Sequence, residues 1–327
     1  MMSVFLDKEC WQDVFEGFQI ADIAILDKRS LHIVAKKSVS SDEASMLFDT
    51  DILTRLIVLY TDLPEGANCG YTELTGMGYP MVGVSRPPFP RPSGLVAAAN
   101  RHGDVYPRGG GVDGPMEQID PNRQPGTERL KCINGFTYAP GVGRAIYKRI
   151  GVGKWMPFNN GIPGSENVTT KMGFRDIDAF SETDMYAVGG HGDVWHFDGQ
   201  SWKQMRFPSK DQLATVTCAG DGNVYISGEG GSLWLGEKSS WKQIYKGGSS
   251  VLWNDVLWFQ DKLWLASDYQ FCQLNGGNVE RVMHEGETVP ISGHMDVHDG
   301  ILVIASLYSV MSFDGSTWRW LVDPYND

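Results

Sequence analysis

No stretch of this 327-residue chain reaches the roughly 20 consecutive apolar residues that a bilayer-spanning helix needs, so no membrane association is expected. The opening residues, MMSVFLDKECWQDVF, carry acids where an export signal carries basic residues followed by an apolar run, so no signal peptide is expected. Cysteine is scarce and odd in number: Cys10, Cys69, Cys132, Cys218 and Cys272 contain no C-x-x-C pair. That excludes a zinc ribbon and predicts reduced thiols in a cytoplasmic setting, not a disulfide framework. Cys218 and Cys272 fall in strand-like runs and are expected to behave as small buried hydrophobes.

Basic residues are the third deficit. Twenty-eight Lys and Arg stand against 40 Asp and Glu, for a net charge of −12, and no basic run offsets it. Such a surface repels a phosphate backbone, which excludes nucleic acid as the ligand. A basic protein is the favoured partner, since opposite net charge speeds encounter; acidity for solubility alone is the alternative.

Catalytic motifs are missing as well. There is no G-x-S-x-G elbow and no H-E-x-x-H helix. Gly141-x-Gly143 and Gly151-x-Gly153 lack the Lys-Ser/Thr that phosphate cradling requires, and read as turns. No cofactor is expected and the chain is read as a non-enzyme. His294, Asp296 and His298 alternate, so on a strand they share one face and form the one weak metal candidate. The competing reading gives Asp296-Val297 the place of Asp22-Ile23, Asp176-Ile177 and Asp255-Val256, one aspartate repeated for a hydrogen-bonding role. His102 and His191 each open a His-Gly-Asp-Val turn and read as turn residues.

What the chain does have is a repeat. Met185-Tyr186-Ala187-Val188-Gly189, then Gly192-Asp193-Val194-Trp195-His196-Phe197-Asp198-Gly199, closes on Trp202. The same order returns to close on Trp241 and Trp318, with Val279 in the tryptophan place of a degenerate copy between them. The spacings are 39, 38 and 39 residues. Thirty-nine glycines, eleven tryptophans and only 21% charged residues fit a turn-dense β protein with large aromatic core pieces. A period near 40 built from short apolar runs and Gly or Asp-Gly turns is the signature of a propeller blade. In the copy after Ser250 the strands read as Val256–Phe259, Lys262–Ala266, Tyr269–Leu274 and Val279–Val282. The second run is apolar in every copy, as expected of a strand buried on both faces.

Openings at about residues 21, 79, 131, 174, 213, 252 and 291 predict an all-β fold: one β-propeller domain spanning 1–327, with seven four-stranded antiparallel blades. Six blades is the alternative if the unit at 79–106 is only an insertion. Closure of the ring is expected from pairing of Ser3–Leu6 with Trp318–Val322, which removes an open sheet edge. Two segments break the pattern as long loops, the proline-rich 85–94 and the glycine- and proline-rich 107–128. A long structureless segment of this kind is functional or disordered.

The copies resemble bacterial propeller repeats of the form D-V-Y-A-V-G followed by G-x-I-x-H-Y-D-G-x-x-W, well over 174–320 and weakly before 130. The resemblance implies the fold. Ser312–Trp318 also resembles the S-x-D-x-G-x-T-W box of sialidase-type propellers, but it is one residue short and no arginine triad accompanies it. An acidic, non-catalytic propeller is similar in these properties to the immunity proteins of polymorphic toxin systems. That analogy implies a binder that blocks a basic, nuclease-type toxin in the cytoplasm. A general interaction scaffold, or a glycan or small-molecule hydrolase or lectin using the central channel, are the alternatives. The expected partner-binding residues are the acids Asp113, Glu117, Asp120 and Glu128 around the aromatic anchors Phe89 and Tyr106.

Overall fold

Short apolar runs separated by positive-φ turns fold here into seven antiparallel meanders arranged as a β-propeller. The computed structural model describes residues 4–98, 103–123, 125–163, 173–248 and 250–324; Ser3 and His102 lie outside them. The first strands of blades 1 to 7 are Phe18–Asp27, Met81–Ser85, Lys131–Ile133, Asp176–Ser181, Leu213–Cys218, Asp255–Phe259 and His294–His298. The openings read from the sequence fall on these strands or within three residues before them, and the unit at 79–106 is a full blade, which removes the six-blade alternative. Tight reversals within blades use the residues that tolerate a left-handed backbone. Asn134-Gly135 and Asp299-Gly300 both turn with positive φ at the two positions, as a type I′ hairpin requires.

In a meander of this order, two kinds of connection emerge at the same end of the barrel-like ring. These are the links between second and third strands and the links from one blade to the next. That end is called the upper face below. Its longest link within a blade is residues 38–53 of blade 1, which holds a short helix, Ser41–Ala44, and a 3-10 turn, Asp49–Asp51. A small hairpin, Met283–His284 with Glu287–Thr288, sits in the link between blades 6 and 7.

The tryptophans take equivalent places. Trp202 pairs with Phe197, Trp241 with Gly236, Val279 with Leu274 and Trp318 with Phe313, each five residues after its partner. Trp318 is buried where blades 6 and 7 meet. It stacks on Phe313 at 4.6 Å and meets Phe271 edge-on at 5.8 Å. The ring closes as expected: Val4 bridges Trp320 in parallel, and the N–H groups of Phe5 and Leu6 donate to the carbonyls of Trp320 and Leu321 at 2.9 and 3.0 Å.

Two expectations are corrected. Cys10 and Cys69 form a disulfide that ties the helix Lys8–Val14 to the outer strand Cys69–Leu74 of blade 1. The partners lie 59 residues apart, and only the docking of that helix on the blade edge brings them together. Cys132, Cys218 and Cys272 are free, and of these only Cys272 is fully buried.

The segment 107–128 is not structureless. It completes the third strand of blade 2, Asp104–Gly109, and supplies Val112–Asp113 and Glu117–Gln118, both paired to that strand. What orders it is a buried ion pair. Arg149 of blade 3, with no exposed surface, grips Glu117 with two N–H···O bonds of 3.0 and 2.5 Å. The indole of Trp155 donates to the same carboxylate at 2.9 Å, and Arg149 also reaches the hydroxyls of Ser85 and Ser93. Phe89, from the proline-rich link, covers the guanidinium at 4.7 Å from its ring centre.

Two stability outcomes follow. Trp318→Ala is expected to cost about 3–5 kcal/mol in a urea titration, and a loss below about 1 kcal/mol is incompatible with the packing described. Glu117→Ala strands the Arg149 charge in the interior and is expected to cost about 3–5 kcal/mol in the same measurement. An unchanged unfolding midpoint for that variant means the pair does not hold the segment.

Candidate functional site

The inner strands surround a central cavity of about 850 Å³, and their side chains are unusually charged for a β-sheet interior. Asp22, Asp178, Asp255 and Asp296 line it together with Arg86, Arg129, Lys131, His294 and His298. Period-2 alternation places every second residue of an inner strand toward the cavity. The carboxylates then do something specific. Each accepts an N–H from the inner strand of the next blade, from Val82 to Asp22 at 3.0 Å and from Met295 to Asp255 at 3.0 Å. Blade 4 makes two such rungs to blade 5, Val216 to Asp176 at 3.0 Å and Cys218 to Asp178 at 2.8 Å. Blade 7 returns to blade 1 through Ile25 and Asp296 at 2.8 Å.

The repeated aspartate therefore has the hydrogen-bonding role expected of it, but in a different register. His294 pairs with Ala305 as Asp255 pairs with Ala266, so His294 holds the place of Asp255, and Asp296 lies two residues further along. Its rung is displaced by the same two residues, reaching Ile25 as Asp178 reaches Cys218, where Asp22, Asp176 and Asp255 reach a residue nearer the strand start.

Cations bridge the ring where the carboxylates alone would repel. Arg129 spans from blade 3 to Asp176 at 3.5 Å and to Asp255 at 2.6 Å. Burial disfavours its charge, yet the two carboxylates outweigh that and push its pKa upward. Burial likewise pushes the Asp255 carboxyl up, but Arg129 and His294 hold it well below the ordinary range. For Asp22 burial prevails and its pKa rises in spite of His294. Nδ1 of His294 lies 3.4 Å from Asp255 and 3.9 Å from Asp22. Burial opposes its charge, but the bond to Asp255 and the charge of Asp22 raise its pKa to about 9. At the lower end Arg86 donates to the Ile25 carbonyl at 3.0 Å and meets Asp296 at 3.3 Å. Burial, then the Arg86 charge, lowers the pKa of His298.

The three residues of the weak metal candidate are thus turned to different tasks. Asp296 is engaged by two backbone N–H groups and Arg86, and His294 is committed to Asp255. Among the described residues no group of three or more His, Cys, Asp or Glu is arranged to hold a metal.

The expected partner-binding set is dispersed. Phe89 and Glu117 are interior, 2% and 4% exposed, held in the Arg149 cluster, and offer no surface to a partner. Tyr106 is half-buried and donates to Asp113 at 2.7 Å on the outer edge of blade 2. Asp120 accepts the Tyr147 hydroxyl at 2.8 Å, and the exposed Glu128 stands at the cavity. Sequence reasoning missed Arg149, Arg129 and Arg86. Isolated arginines carry no local motif, and their importance comes from carboxylates up to 210 positions away. A second cavity, about 790 Å³, opens on the upper face over blades 6, 7 and 1 and is lined by Tyr269, Leu307, Tyr308 and Trp320.

This chain is similar in sequence to the immune protein Tsi7 of Pseudomonas aeruginosa, at 31% identity over 190 residues. The match covers 58% of this chain and 62% of that protein, so it spans less than two thirds of its relative. No family model matches the chain. Among solved structures it is similar to the WD40 propeller domain of Doa1, with a TM-score of 0.58 at 13% identity, covering 89% of this chain and 90% of that one. YCF48 bound to D1 peptide gives a TM-score of 0.55 at 15% identity, covering 94% of this chain and 93% of that one. At these identities both show the fold alone. No helix among the described residues is long and apolar enough to cross a membrane.

The histidine in the ring makes stability depend on pH. Its folded pKa of about 9 lies above the unfolded value of 6.5. Its contribution is therefore complete below the unfolded value and lost as pH rises through the folded one. His294→Gln is expected to remove that decline on the alkaline side. Parallel stability curves for parent and variant between those two pH values are the contrary result.

Proposed function

We propose that this chain is a non-catalytic binding protein that neutralises a protein toxin, and that the toxin is basic and of the nuclease type. The observation that carries this reading is the 31% identity over 190 residues to a protein named for immunity. The interior supports it: the charged groups of the central cavity satisfy one another across the blades, which suits a rigid frame better than a reacting centre. The net charge of −12 suits a cationic partner, and a domain that handles nucleic acid carries positive charge for its phosphates. We place the action in the cytoplasm, where such a toxin meets its target. Reduction of Cys10 and Cys69 there leaves the ring closed, because Phe5 and Leu6 close it through backbone bonds.

The exposed acids Asp113 and Glu128 belong to the field that steers the encounter, with the half-buried Asp120 between them. Steering by exposed charges acts on the association rate and is screened beyond about 10 Å at 0.1 M salt. The protein encoded beside this chain's gene is the partner to test. Expressed alone it is expected to arrest growth, and co-expression with this chain to restore it. The purified pair is expected to associate more slowly as salt rises, and the Asp113→Asn, Asp120→Asn, Glu128→Gln triple variant to associate more slowly than the parent. An arrest that this chain never relieves overturns the reading.

A further inference from the structure

The described residues include six large apolar side chains that are more than half exposed: Met46 at 82%, Phe48 at 78%, Tyr79 at 72%, Tyr269 at 78%, Met283 at 54% and Leu307 at 55%. All six lie on connections of the upper face, in 38–53, 75–80, 267–270, 282–293 and 306–309, which belong to blades 6, 7 and 1 and their links. None lies on the opposite face. Exposed apolar surface costs solubility, so its concentration on one sector of one face calls for a partner.

Tyr79 makes the point most sharply. Its φ is +48°, a left-handed conformation that a bulky residue adopts at an energetic cost, while its ring stands in solvent. Its N–H donates to the Asp49 carboxylate of the link 38–53, and Lys36, on the strand Ser30–Lys37, lies 5.7 Å from its ring centre.

Charge is unevenly spread over the links of the same face. The link 38–53 holds Asp42, Glu43, Asp49 and Asp51 and no Lys or Arg. The links 267–270 and 282–293 add Asp268, Glu285 and Glu287, again with no Lys or Arg. Across the ring, the link 206–212 between blades 4 and 5 carries Arg206 and Lys210 against the single Asp211. Most of the apolar side chains thus sit on links that carry acids and no Lys or Arg, and the second cavity opens among them, lined by Tyr269, Leu307 and Tyr308.

From this we infer that the upper face over blades 6, 7 and 1 is the docking surface for a basic polypeptide, the cognate toxin. An apolar side chain of that partner enters the 790 Å³ cavity, and its Lys and Arg residues face the acids of 38–53 and 282–293. Aromatic anchors surrounded by complementary charge are the arrangement in which a few residues carry most of the binding energy. The inference rests on the function proposed above and adds where the partner sits, which is not the 107–128 segment.

The test uses the full chain and the purified product of the adjacent gene. Phe48→Ala and Tyr269→Ala are each expected to weaken the equilibrium Kd at least about tenfold. The parent's circular dichroism and melting temperature are expected to persist, since both rings are exposed. Tyr79→Gly is the decisive variant. It releases the left-handed strain, so its melting temperature is expected to hold or rise while affinity falls about tenfold or more. A merely structural tyrosine gives the opposite pairing. The Asp42→Asn, Glu43→Gln, Asp51→Asn variant is expected to slow association and flatten its salt dependence. If the parent binds the adjacent product and all three aromatic variants bind it equally well, the docking surface is elsewhere while the proposed function stands. If the parent does not bind it at all, both fall.

Discussion

The structure depends on a carboxylate placed where one blade meets the next. A propeller has no hydrogen-bonded ladder between blades, so the inner strands approach with their N–H groups unpaired by any neighbouring strand. Asp22, Asp176, Asp178, Asp255 and Asp296 supply the missing acceptor across that gap. Three of them also accept the N–H of the residue that follows, which fixes the side chain before it reaches across. Buried backbone donors left without partners are costly, and here a side chain of two acceptor oxygens serves two of them.

That solution creates a second problem, which the arginines answer. Carboxylates crowded round one axis repel, and burial raises their pKa, as it does for Asp22 and Asp178. Arg129 and Arg86 reach across the cavity to blades that are not their neighbours in sequence, and His294 lies between Asp22 and Asp255, which raise its pKa to about 9. Charges so fully engaged with each other give rigidity and leave little reactivity. The same logic recurs at the edge of the ring, where Arg149 and Glu117 fasten blade 2 to blade 3 and convert a glycine- and proline-rich segment into strand. A frame of this kind frees its loops to differ, and the links over blades 6, 7 and 1 have used that freedom to present apolar side chains among acids.

The periodicity was legible because blade packing imposes it. The middle strands are buried on both faces, so each copy needs an uninterrupted apolar run, and each hairpin needs a residue that tolerates positive φ. The five-residue interval from Phe197 to Trp202 and from Phe313 to Trp318 is fixed by one turn geometry, and it can be counted in the letters. The register of Asp296 was not legible, because an Asp followed by Val reads alike at either place on the strand until the pairing of His294 with Ala305 shows that the histidine holds the first.

The sequence alone therefore determined the fold class, the blade repeat, the closure by the first and last strands and the acidic balance of the chain, while seven blades over six was settled only by the full blade at 79–106. The features it determined follow from local spacing, turn chemistry and composition, which act over one blade or over the whole charge count. The tertiary structure alone decided that Cys10 meets Cys69, that Phe89 and Glu117 are interior, that Arg149 and Arg129 have buried partners, and that Phe48, Tyr79 and Tyr269 share one face. Each of these joins residues from different blades or from distant links. A ring closed on itself sets those distances by the way seven sheets pack, and no spacing along the chain encodes them.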